Sequence, residues 1–152
     1  MPIHIVKELY GKQTEVLIQK YADRTLILVT QMGKVGTLIQ ATVPTATPFP
    51  SKPLFESPDP VLPEPPVAIA LTPLMGTALD ERSRTMTEIY VSQIATLFWC
   101  FNPGIRSPVV VGLALKRGHQ SEEEDETSEE DRLLFREMMK MIAQAIVRST
   151  EA

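Results

Sequence analysis

Residues Thr25 to Ile39 read TLILVTQMGKVGTLI. Two apolar, β-branched runs flank Gly33-Lys34-Val35-Gly36, the pattern of a strand, a tight turn and a second strand. The glycines supply the positive φ angles such a turn demands, and Lys34 and Val35 sit at its tip. Both alternations of each run are apolar, so this hairpin is expected in a sheet with two greasy faces.

The same logic extends outward. Ile3 to Leu9 and Gln13 to Tyr21 read as two strands, punctuated by Gly11 and by a turn at Ala22-Asp23-Arg24. With Thr25 to Gln31 and Thr37 to Val43 they are expected to form a four-stranded antiparallel meander. Residues 44–66 hold nine of the chain's 13 prolines. Proline fixes φ and removes a donor, so neither helix nor central strand is plausible there. A connection of this length is either functional or simply flexible. Phe49, Leu54 and Phe55 are candidate anchors for a partner, with Lys52, Glu56 and Asp59 supplying charge and Lys34 an exposed contact on the hairpin. Val67 to Leu71 returns to strand chemistry and is expected to end at Pro73 and Gly76.

Asp80 to Phe101 is a helix, with Met86, Ile89, Tyr90, Ile94, Leu97, Phe98 and Phe101 at helical spacing. Thr85 and Glu88 resemble a capping box, although the helix could start earlier, near Thr77 or Asp80. Asn102-Pro103-Gly104 stops it. Pro108 to Lys116 is apolar on both alternations, as a central strand would be. The acidic loop 118–131 follows, and Ser128 to Ser149 closes the chain as a helix with Leu134, Met138, Met141, Ile142, Ala145 and Ile146 on one stripe. The order is four strands, Pro-rich loop, strand, helix, strand, helix. That is an α+β domain with a single six-stranded, mainly antiparallel sheet and two helices.

At 152 residues and 43% hydrophobic content the chain is one domain with ample core. Its net charge of −4 argues against a nucleic-acid partner. Eight of the 19 acidic residues fall in 122–131, leaving 15 basic against 11 acidic elsewhere, so the acidity is local. A single cysteine, Cys100, excludes an intrachain disulfide and suits a reducing compartment. The N-terminus lacks a signal-peptide core, and no run reaches about 18 apolar residues, so no membrane association is expected and the expected location is cytoplasmic or nuclear.

No catalytic constellation is visible. His4 and His119 stand alone, with no metal-ligand spacing and no nucleophile–base pair. Trp99 and Cys100 read as packing residues, and no cofactor is expected. Gly33-Lys34-Val35-Gly36-Thr37 lacks phosphate-loop spacing and precedes a strand rather than a helix. Ser121 and Ser128, with acids downstream, are candidate sites for an acid-directed kinase.

A two-residue turn at Lys34-Val35 would pair Gln31 with Leu38 and Val29 with Gln40. One face then gathers Leu17, Leu26, Leu28, Thr30, Ile39, Ala41 and Val43, suited to the helices. The other gathers Ile27, Val29, Gln31, Leu38, Gln40 and Thr42, with Val16 and Ile18 added by a similar turn at Ala22-Asp23, apolar in the middle and polar at the margin. Two helices can cover one face. Leaving Val16, Ile18, Ile27, Val29 and Leu38 wet would forgo roughly 7–15 kcal/mol, as much as a typical domain's whole stability of about 5–15 kcal/mol. An apolar centre inside a polar rim is how an interface looks, so the second face is expected to pack on the sheet of a partner subunit. One helix on each face would satisfy the same residues without a partner.

VTQMGKVGTL, preceded by ILV, closely resembles the signature hairpin of the proteasome assembly chaperone 3 family. Downstream, TPLMG with the helix behind it, VVVGLALK and RLLFREMMKMIAQAI resemble that family's fifth strand and first helix, its sixth strand and its closing helix. The Pro-rich insertion and the acidic tract depart from the family pattern. The resemblance implies a six-stranded sheet with two helices, facing the sheet of proteasome assembly chaperone 4. It implies a non-enzymatic chaperone for early α-ring formation of the core proteasome, engaging α-type subunits centred on alpha-5. A homodimer of the isolated chain stays open. The competing reading is a general adaptor that binds another partner through the Pro-rich loop.

Overall fold

The computed structural model describes residues 2–31, 33, 36–49, 61–76, 81–115 and 129–151. Eight elements follow in chain order: β1 (Ile3–Leu9), β2 (Lys12–Lys20), β3 (Thr25–Thr30), β4 (Thr37–Thr42), β5 (Ala70–Met75), α1 (Glu81–Phe101), β6 (Val109–Ala114) and α2 (Glu129–Glu151). The strands form one sheet in the order β1-β2-β3-β6-β4-β5. The β3–β6 pair is parallel and the other four are antiparallel. The expected α+β fold is therefore the observed one, in two layers.

The first three strands do form a meander. Leu9 pairs with Lys12, and Tyr10 and Gly11 between them have φ of 49° and 78°. Two consecutive positive angles make the mirror-image turn whose twist matches that of the strands. Lys20 pairs with Thr25 across the next turn, where the Tyr21 N–H donates to the Arg24 carbonyl at 2.8 Å.

The expected β3–β4 hairpin is not formed. β6 lies between the two strands. The described ends of the connection flank the end of β6 instead: the Gln31 N–H donates to the Ala114 carbonyl at 2.8 Å, and Gly36, at φ 68°, lies against Leu113. A β-carbon on Gly36 would collide with the Leu113 carbonyl oxygen, so this glycine serves close approach as well as backbone angle. β5 also starts later than its apolar run suggests and contains Pro73. An edge strand tolerates that proline, and the ladder with β4 shifts register beside it, between Leu38 and Ile39.

α2 lies over β1 and β2, and α1 over β6 and β4, both on the same side of the sheet. Tyr90 meets Phe135 edge-on, with centroids 4.9 Å apart, in the N-terminal half of each helix. Near their C-termini, Lys20 Nζ donates to the Ser149 carbonyl at 3.2 Å and stands 6.0 Å from the Phe98 ring. The helices thus run side by side in one direction. Thr85 Oγ1 donates to the Glu81 carbonyl, which places Thr85 inside the first turns of α1 rather than at a cap. The Asn102 N–H and side-chain amide both donate to the Phe98 carbonyl and finish the helix.

Candidate protein-interaction site

Side chains alternate along a strand and pair across it, so the register assigns every residue to a face. On the helix side the rows run Ile5–Val16–Val29–Leu113 and Ile3–Ile18–Ile27–Val111–Ile39. These residues pack with Ile94, Leu97, Phe98, Met138, Met141, Ile142 and Ile146 into one core. Val16, Ile18, Ile27 and Val29 are 0–1% exposed within this single chain. Their expected place on a subunit interface is corrected accordingly: they lie beneath the helices. Gln31 is corrected too. It is 5% exposed, and its amide donates to Thr14 Oγ1 at 3.1 Å.

The physical reason is parity. A direct hairpin would set Leu28 beside Ala41. With β6 inserted, Ile27 and Ile39 share Val111 as neighbour, and Thr25 and Ala41 share Val109. A shift of odd size moves every β4 side chain to the opposite face relative to β3.

The other face carries the rows His4–Leu17–Leu28–Gly112–Leu38–Met75 and Gln19–Leu26–Val110–Gln40–Thr72. Among the described residues, no helix or strand lies over it. Leu17, Leu26, Leu28 and Leu38 are half-buried, and none of them belongs to the helix-side core. At the two edges, Val6 is 49% and Met75 52% exposed. The margin is polar. The Arg24 guanidinium contacts Asp23 at 3.1 Å and Gln40 Oε1 at 3.4 Å at one corner, and His4 Nε2 stands 3.9 Å from Glu15 at another. Of the residues expected at a subunit interface, Leu38 and Gln40 lie on this face. Leu17, Leu26 and Leu28, which the hairpin register had assigned to the helices, join them, with Val110 between them already buried at 6% exposure.

The Pro-rich segment is seen at its two roots. Phe49 stacks on Trp99 with centroids 5.6 Å apart, and the Arg106 guanidinium carbon lies 4.6 Å from the Phe49 ring centre. Lys34, Lys52, Leu54, Phe55, Glu56 and Asp59 lie outside the described residues, as do His119, Ser121 and Ser128.

Nothing in the described geometry is arranged for covalent chemistry. Burial pushes the Cys100 thiol up, against a smaller opposing pull from Arg106, which keeps it a protonated packing group. Burial, with help from Asp131, pushes the Tyr90 phenol up to about 12. Among the described residues, no group of histidine, cysteine, aspartate and glutamate could hold a metal, and no helix is long and apolar enough to cross a membrane.

A comparison with curated protein sequences found no match. Among solved structures, the fold matches a chain from the crystal structure of a novel chaperone complex for yeast 20S proteasome assembly, with 13% identity and a TM-score of 0.54. The match covers 94% of this chain and 99% of that one, a likeness of fold. The sequence model of proteasome assembly chaperone 3 matches residues 27–147, which take in β3 through most of α2. That match spans most of the sequence, and the chain belongs to the proteasome assembly chaperone 3 family.

Proposed function

We propose that this chain promotes early α-ring formation of the core proteasome by binding alone, without nucleotide. In this reading it pairs, sheet face to sheet face, with a second chaperone subunit of the proteasome assembly chaperone 4 type. The pair holds α-type subunits, with alpha-5 the expected first contact, in the cytoplasm or nucleus. Family membership supports the proteasome assembly role. The observation that carries the pairing is the face of half-buried Leu17, Leu26, Leu28 and Leu38, over which no described helix or strand lies, inside a rim of Arg24, Gln40, Glu15 and His4. Such a patch combines an apolar centre with polar, hydrogen-bonding margins, the anatomy of a subunit interface.

The test is co-elution. The purified chain mixed with the second chaperone and alpha-5 should run as one stoichiometric complex on size exclusion at moderate salt. Separate elution of all three would retire the reading. The adaptor alternative loses one of its anchors, because the Phe49 ring is spent on Trp99 within the chain.

A further inference from the structure

Sulfur is unevenly placed in this molecule. Met138, Met139 and Met141 of α2 are fully buried, and Met86 of α1 is half-buried against the same core. Cys100 is buried near the end of α1. Met75 differs. It is 52% exposed and ends the row His4–Leu17–Leu28–Gly112–Leu38–Met75. Among the described residues it is the one sulfur on the face that faces away from the helices. The other large apolar positions of that row are leucines, which peroxides leave untouched.

The backbone puts Met75 there. β4 and β5 shift register between Leu38 and Ile39, so that Ile39 pairs with Pro73 but Leu38 pairs with Met75. A regular ladder would set Leu74 beside Leu38 instead; the extra residue of the bulge substitutes a thioether for an alkyl group on this face. Gly76 follows at φ 83°, so close to β4 that a β-carbon on it would stand 3.1 Å from the Thr37 Cα. That contact holds the end of β5 in place and keeps Met75 beside Leu38.

Exposure and chemistry then act together. A reachable thioether is oxidised by hydrogen peroxide. The sulfur attacks one peroxide oxygen, the S–O bond forms as the O–O bond breaks, and the sulfide gives up two electrons. The departing hydroxide takes the proton from the transferred oxygen and leaves as water. The sulfoxide is polar and chiral where a flexible apolar group stood. In water that change costs nothing, whereas inside an apolar contact the new oxygen needs a hydrogen-bond partner.

We infer that Met75 is an oxidation-sensitive site on the pairing face, open while the chain is alone, shielded once the second chaperone subunit is seated, and weakening that docking when it becomes the sulfoxide. This rests on the proposed face-to-face pairing. Oxidation must then precede pairing, and a methionine sulfoxide reductase reverses it.

The experiment treats the lone chain and the preassembled pair with hydrogen peroxide and follows each methionine by mass spectrometry. In the lone chain Met75 should gain oxygen at least about tenfold faster than Met138, Met139 and Met141, and pairing should slow it at least about tenfold. The oxidised chain and the mimic Met75→Gln should keep a native circular dichroism spectrum and pair several-fold more weakly. Met75→Leu should pair as the natural chain does, before and after peroxide. Equal oxidation of Met75 in the free and paired states overturns the proposal. So does undiminished pairing of the oxidised chain, or a loss of pairing that peroxide still causes in Met75→Leu. These outcomes leave the chaperone reading standing, whereas an untreated chain that does not pair overturns that reading and this proposal together.

Discussion

The two faces of this sheet are both apolar, yet they are written in different residues. Beneath the helices stand Val16, Ile18, Ile27, Val29, Ile39, Val109 and Val111, mostly β-branched, with Leu9, Ala41 and Leu113 among them. Across the bare face stand Leu17, Leu26, Leu28 and Leu38, with Val110 among them. Branched side chains are stiff at χ1 and give a fixed, closely packed floor for a helix. Leucine keeps more rotamer freedom, and it suits a surface that meets its complement only after folding. Hydrophobicity therefore does not distinguish the two faces here, whereas register does, with a bias of side-chain shape beside it.

Adjacent residues make the sharpest contrast. Ile27 and Leu28 point to opposite faces of one strand. Ile27→Asp buries an unpaired charge beneath both helices, which costs more than about 4 kcal/mol. The variant should lack a cooperative unfolding transition and the dispersed NMR spectrum of a folded domain. A well-folded Ile27→Asp chain would mean that the helices do not cover that face.

The next largest effect probes the chain segment that separates the two halves of the sheet. Gly33 and Gly36 both have positive φ, at 70° and 68°. A β-carbon at Gly33 meets nothing within 4 Å, whereas at Gly36 it strikes the Leu113 carbonyl. Gly33→Ala should cost about 1–2 kcal/mol, the strain of the backbone angle alone. Gly36→Ala should cost about 2–4 kcal/mol, because β6 must also give way. Equal urea midpoints for the two variants would argue that β6 does not pass beside Gly36.

Those glycines also explain how much could be read in advance. The register of β2 on β3 follows from the short link between Lys20 and Thr25, and it was legible as written. The register of β4 was not. Gly33-Lys34-Val35-Gly36 has the look of a hairpin turn, but the strand that fills the gap comes from residues 109–114, far along the chain. Local turn chemistry carries no information about such a remote insertion. Once parity slipped, four core residues were exchanged for leucines of the opposite face, over which no described helix or strand lies. Pro73 misled for a simpler reason: at an edge strand a proline ends nothing.

On the helix side, the Tyr90 phenol reports on burial through pH. Its proton leaves near 10 in the unfolded chain and near 12 in the folded one. Below pH 10 both states hold it, and its contribution is complete. As pH rises through 12 the unfolded state has gained by ionising first, and about 2–3 kcal/mol of stability is lost. The difference in unfolding free energy between the natural chain and Tyr90→Phe should therefore shift against the natural chain between pH 10 and 12. A flat difference would place the phenol in water.

The smallest effect on folding is the most telling for function. Leu28 is half-buried on a face over which no described helix lies, so Leu28→Asp gives up little packing in the lone chain. Its cost should be about 1 kcal/mol, mostly the poor strand propensity of aspartate. The variant should keep a native circular dichroism spectrum and elute at the monomer position. Association with the second chaperone should fall by at least about a hundredfold, since the carboxylate would be desolvated at the centre of an apolar interface with no partner. If Leu28→Asp unfolds as Ile27→Asp does, the face is part of the core. If it pairs undiminished, the second subunit sits elsewhere, and the leucine face needs a different occupant.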